Sequence, residues 1–64
     1  MIRAKDITLI ALENGTAVYM AELFGLSTDA KPTTGYANGT TFVEVDTGKL
    51  FLFNETAGAW VEVQ

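Results

Sequence analysis

The apolar positions fall into short runs separated by turn residues, and the runs are rich in β-branched and aromatic side chains. Ile7–Leu12 is one such run, and it stops at Glu13-Asn14-Gly15. Asn-Gly between two apolar runs is a strong short-range hairpin signal, because both residues accept positive φ at low cost. Thr16–Glu22 then reads as the returning strand, with Gly15 critical to the turn. Ala17–Leu26 also fits a short helix with Tyr19, Leu23 and Leu26 on one stripe, so the pattern leaves two readings there.

Ser27–Thr40 has no apolar period. It holds the only Pro, an Asn-Gly pair and several Thr, and it reads as a long loop with Tyr36 as its single aromatic anchor. Loops of this length tend to be functional or to lie against another surface. From Thr41 onward alternation returns. Thr41–Asp46, Lys49–Asn54 and Ala59–Gln64 are expected to form a three-stranded antiparallel meander. A two-residue turn at Thr47-Gly48, with Gly48 at positive φ, would set Asp46 opposite Lys49 and Phe42 opposite Phe53. A four-residue connection would set Asn54 opposite Ala59 and Phe53 opposite Trp60.

That register sorts the side chains onto two faces. One carries Val43, Val45, Leu50, Leu52, Val61 and Val63. The other carries Phe42, Phe51, Phe53 and Trp60 with Glu44 and Glu62. A meander wet on one side would alternate with polar residues, so each face needs a cover. The first hairpin can cover one, and the loop or another subunit the other. The expected fold is all-β: a single domain over 1–64, with a hairpin at 7–22, a loop at 27–40 and a meander at 41–64.

Composition narrows the chemistry. Sixty-four residues without Cys or His leave no disulfide, no thiolate or imidazole ligand and no near-neutral base. Eight acidic against four basic residues give a net charge of −4, which speaks against nucleic acid and anionic membrane surfaces. No apolar run approaches the roughly 18 residues of a membrane span, and the short one behind Lys5 does not suit a signal peptide. Yet 48% of the chain is hydrophobic, with seven aromatics, so it has the material for a core. A domain this small often gains its remaining stability from association, and a homo-oligomer, dimer or trimer, is expected.

The candidate sites are few. Glu44, Asp46 and Glu62 could do acid–base work or hold a hard cation. Surface charge at a sheet edge, with Asp46 paired to Lys49, accounts for them more simply. Thr47-Gly48-Lys49 lacks the rest of a phosphate loop and is turn chemistry. The three Asn-x-Thr triplets at 14, 38 and 54 fall in turns, where Asn is favoured for its backbone. Phe42, Phe53 and Trp60 form either a core or interface row or a platform for a carbohydrate or peptide. No catalytic residue, cofactor or metal ligand is assigned.

The stretch Gly25-Leu26-Ser27-Thr28-Asp29-Ala30-Lys31-Pro32-Thr33, with Asn38–Lys49 and an aromatic strand ending at Trp60, resembles small proteins of tailed bacteriophages and prophages. In these an LSxDxKPT loop precedes an NGSxFxExDTGKxYxF hairpin and a closing tryptophan. Phe51 and Phe53 stand here where tyrosine is common. The resemblance implies a non-enzymatic virion structural or accessory protein: head decoration, head fibre or tail part. Such a protein is made in the bacterial cytoplasm and carried in the particle, docked on a capsid or tail protein. A small binding module using the aromatic face is the alternative.

Overall fold

The computed structural model describes residues 1–63. It is all-β, with five strands in one sheet and no helix among the described residues. The strands are β1 (Arg3–Glu13), β2 (Thr16–Gly25), β3 (Thr41–Glu44), β4 (Lys49–Asn54) and β5 (Ala59–Val63), and they lie in chain order across the sheet. The Asn14-Gly15 turn forms as its sequence dictates, with φ of 53° and 78°, and it closes on the Glu13–Thr16 pair.

Both hairpin strands run longer than their apolar runs suggest. β2 continues through Leu23 to Gly25, so the helical reading of 17–26 does not hold. The reason is tertiary. Leu23 is aligned with Phe42 on the neighbouring strand, and both are fully buried. That burial outweighs the helix preference of Ala, Met, Glu and Leu.

β2 and β3 are parallel, in register from Glu22–Thr41 to Gly25–Glu44, so the sheet is mixed. The hairpin therefore extends the sheet sideways and covers neither face. The parallel step also explains the long loop. A chain leaving the end of β2 must travel back along the sheet before it can start a parallel neighbour, which takes a dozen residues or more. Residues 26–40 make this crossover as a strap over one face.

The β3–β4 connection differs from expectation. β3 ends at Glu44, which pairs with Lys49, so the turn has four residues, Val45–Gly48, and Phe42 lies opposite Phe51. Asp46 is not available to face Lys49, because its carboxylate is taken by Ser27 of the strap, and Val45 N–H donates to Gly25 O at 2.8 Å. Gly48 is at φ 77° and donates its N–H to Glu44 O at 2.7 Å. The β4–β5 pairing runs from Leu50–Val63 to Asn54–Ala59 with Phe53 opposite Trp60, as the pattern predicts. The shift at β3–β4 moves the pairing by an even step, so every side chain keeps its face.

The core is one-sided. Ala21, Leu23 and Phe42 are buried at its centre, and Ile2, Tyr36, Phe51 and Trp60 pack against them partly exposed. One row of aligned residues, Ala4–Leu23–Phe42–Phe51–Glu62, crosses all five strands beneath the strap. The opposite face carries Arg3–Phe24–Val43–Leu50–Val63 and has no strap.

Candidate functional site

The strap is tied down by carboxylates. Asp29 accepts from Leu26 N–H at 2.8 Å, closing a turn where the strap leaves β2. Asp46 accepts from Ser27 N–H at 2.9 Å and from Ser27 Oγ at 2.6 Å. Glu44 is buried, and its two oxygens accept from Lys31 Nζ at 2.6 Å and Thr47 Oγ1 at 2.7 Å. Asn38 and Glu55 exchange backbone N–H and side-chain oxygen at 2.8 and 2.7 Å, fastening the far end of the strap to the β4–β5 turn. Each of the first three carboxyls is held below its ordinary pKa. The causes are the Leu26 N–H for Asp29, the Lys31 ammonium and then Thr47 for Glu44, and the Ser27 hydroxyl for Asp46.

The acidic triplet of the sequence is thus divided among structural tasks. Glu44 is no surface charge but the buried partner of Lys31, and Asp46 binds Ser27 instead of Lys49. Glu62 meets Lys49 Nζ at 4.0 Å on the sheet surface. Among the described residues no group of three or more His, Cys, Asp or Glu is placed to hold a metal ion.

The aromatic row lies under the strap. Phe42 is fully buried, Phe53 is buried, and Trp60 lies 5.0 Å from Phe53 and 5.8 Å edge-on from Phe42, centroid to centroid. Trp60 Nε1 donates to Pro32 O at 2.8 Å. Lys31 runs over the rings of Phe42 and Phe51, with Nζ 4.9 and 4.5 Å from their centroids, a cation–π arrangement that reinforces its bond to Glu44. Tyr36 packs against the core cluster. The strap runs beside β2 at this point, with Tyr19 N–H donating to Gly35 O at 2.8 Å and Ala37 N–H to Tyr19 O at 2.9 Å.

Sequence reasoning missed Lys31, Ser27 and Asp29 as fold-determining residues. One signal was present: Lys31 is the sole cation between Lys5 and Lys49, in a segment that must lie beside the Glu44–Asp46 hairpin.

An open depression of about 270 Å³ lies beside an irregular stretch of β1, between Asp6, Thr8, Glu22 and Thr41. Asp6 is at φ 54° there, and the β1–β2 register shifts between Lys5 and Thr8 and again between Leu9 and Ala11.

The second sheet face carries an uncovered apolar patch over β4 and β5. Leu50, Leu52, Val61 and Val63 all lie on it, and Val45 beside it; Val45 is 66% and Val61 54% exposed. Toward β1 and β2 the same face turns polar, with Lys5–Glu22–Thr41 leading to Leu52 and Val61 in one row. Comparison with protein-family models, curated proteins and solved structures finds no match.

Proposed function

We propose that the chain is a non-enzymatic structural or accessory protein of a tailed-phage particle, and that it works by docking its uncovered aliphatic face onto a protein surface, of its own kind or of a capsid or tail protein. The observation that carries this reading is the contrast between the two faces of one sheet. The aromatic face has a strap fixed by a set of side-chain hydrogen bonds and an ion pair, whereas the aliphatic face is left exposed over β4 and β5, with Val45 beside them. A sheet is ordinarily packed on a second layer, and contiguous apolar patches of this kind mark protein–protein contact.

The residues that carry the phage resemblance support the reading in a second way. Ser27, Lys31 and Pro32 of the strap are bonded to Asp46, Glu44 and Trp60 of the sheet and its turn, while Asp29 closes the first turn of the strap on Leu26 and Thr47 supports the Glu44 carboxylate. The motif therefore maintains a shape, as suits a part of an assembly. Peptide mass spectrometry of density-purified phage particles tests it. The chain is expected in the particles in stoichiometric copies, and Leu52→Asp is expected to be lost from them while remaining folded. Recovery only from the soluble fraction of infected cells would overturn the proposal.

A further inference from the structure

We infer that the free edge of β5 pairs with the same edge of a second copy of this chain, joining two sheets into one across a two-fold axis. The inference uses the edge of the sheet and goes beyond the docking reading, which uses its face. β5 is the last strand of the sheet, so one side of its backbone has no neighbouring strand among the described residues. Which groups point that way follows from β4. Phe53 N–H donates to Thr40 O at 2.9 Å, on the β3 side. Backbone groups alternate along an antiparallel strand, so Leu50, Leu52 and Asn54 turn theirs toward β5. Their partners Val63, Val61 and Ala59 are thereby bonded inward, and Trp60 and Glu62 present N–H and C=O at the free edge. Among the described residues no turn or loop backbone bonds to those groups.

The two edges of the sheet are built differently. β1 carries two register shifts, Asp6 at positive φ, and the cations Arg3 and Lys5. Each of these hinders pairing with another chain. β5 has none of them: its register with β4 is unbroken from Ala59 to Val63, and it holds no cation, no Pro and no positive φ. A free edge without such devices is a template for another strand. The strap leaves it open too. The Trp60 ring lies 5.8 Å from that of Phe42, two strands inward, so it leans over β4. The strap is held to this indole through Pro32 O and at that point lies inboard of the edge.

The register selects the occupant. An antiparallel partner must offer two outward residues at the same spacing, and β5 itself does so. Pairing Trp60 with the partner's Glu62, and Glu62 with the partner's Trp60, bonds every outward group of both residues in both copies. Centring the contact on Glu62 would set two carboxylates directly opposite each other, which is destabilising. Centring it on Trp60 would set Glu62 against Gly58, which is at positive φ in the β4–β5 connection and extends no ladder. In the remaining register Val61 meets its own copy on the axis, in the two-fold closure commonest among small oligomers. The axis stands perpendicular to the sheet, so both straps lie on one side and both aliphatic faces on the other. Leu52 and Val61 of the two copies then form one unbroken apolar row. On the docking reading, the dimer presents this joined patch to its target.

The two Val61 residues on the axis form a pair without mutual hydrogen bonds, with Cα atoms about 4.5 Å apart and within disulfide reach. Leu52 lies three strand spacings from its copy, roughly 14 Å, and is out of reach. The chain has no cysteine, so V61C is expected to form a disulfide with itself under mild oxidation, and L52C is not. The mass of the parent by light scattering is expected to rise from 6.9 kDa toward twice that value as concentration approaches millimolar. Glu62→Pro removes only an outward N–H, a change that an edge strand tolerates. It is expected to hold the mass at 6.9 kDa while still unfolding cooperatively in urea. Val61→Lys keeps every backbone donor, brings two ammonium groups together on the axis, and should do the same. A parent mass of 6.9 kDa throughout would overturn the inference. So would a dimer that survives both substitutions, or one that L52C locks and V61C does not. None of these outcomes depends on the presence of the chain in phage particles.

Discussion

Gly25 shows how little room the strap leaves as it departs from β2. Its φ is ordinary, yet a Cβ built there would lie 2.8 Å from Phe42 Cζ and 3.1 Å from Asp29 Oδ2. Phe42 is fully buried and cannot swing away. Gly25→Ala is expected to cost about 1–3 kcal/mol, as overpacking does, read as a lower denaturant midpoint with unchanged slope. At Gly48 the reason for glycine is different. Nothing lies within 4 Å of a Cβ there, so the penalty is the backbone at φ 77° alone. Gly48→Val is expected to destabilise the β3–β4 connection by more than 1 kcal/mol, and equal melting of variant and parent would contradict it. Trp60, tilted against Phe53 and bonded to Pro32, is expected to emit blue-shifted fluorescence resistant to acrylamide. The residue scale also shows where sequence reading stopped short. Val45–Gly48 and Glu55–Gly58 are both four-residue connections in which the last glycine donates its N–H to the carbonyl just before the loop. The second is legible, but Thr47-Gly48 mimics a two-residue turn. Only Ser27, nineteen residues away, shows that Asp46 belongs elsewhere.

At the scale of elements, the strands of the hairpin and meander are legible because period-two alternation and Asn-Gly or glycine-ended turns are local signals. The parallel junction of β2 with β3 is not, since it depends on which edges meet after a crossover. The strap is readable as a loop and as one candidate cover for a face, but its fastenings are not, because Ser27–Asp46 and Lys31–Glu44 join residues nineteen and thirteen positions apart. Those pairs make a titration prediction. Asp29, Glu44 and Asp46 have folded pKa values held below their ordinary 3.8, 4.5 and 3.8. A depressed carboxyl stabilises the fold fully above its unfolded value and loses that contribution as pH falls through the folded one. Thermal stability is therefore expected to be nearly flat from pH 7 to about 5 and to fall steeply below about 4. The Lys31–Glu44 pair adds an asymmetry. Lys31→Met leaves a buried carboxylate with Thr47 as its remaining side-chain donor, whereas Lys31→Met with Glu44→Leu leaves no charge behind. The double variant is expected to melt higher than Lys31→Met alone, because an uncompensated buried charge costs more than the pair contributes. A double variant that melts below the single one would show that the Glu44–Thr47 bond, not the ion pair, secures the strap.

On the whole molecule, one sheet has two faces with unlike duties, and the same kind of substitution should separate them. Phe42 is 0% exposed beneath the strap, while Leu52, on the neighbouring strand, is 40% exposed on the other side. Phe42→Ala removes the ring against which Leu23 and Trp60 pack, so it opens a cavity at the centre of a core with few other members. Such truncations cost about 3–5 kcal/mol, a large share of what a domain this small can hold. Leu52→Thr keeps strand preference and removes exposed apolar surface, so on the isolated chain it should change stability by no more than about 0.5 kcal/mol. The two variants are best compared by urea unfolding at low micromolar concentration, where association contributes least, and again a hundredfold higher. Phe42→Ala is expected to be largely unfolded at both concentrations. The parent should gain stability with concentration, because partners that bind only the folded chain raise its apparent stability by mass action. Leu52→Thr should match the parent when dilute and fall behind it when concentrated. If Leu52→Thr is as damaging as Phe42→Ala in dilute solution, the aliphatic face is part of the monomer's own core, and the division of labour between the two faces is wrong.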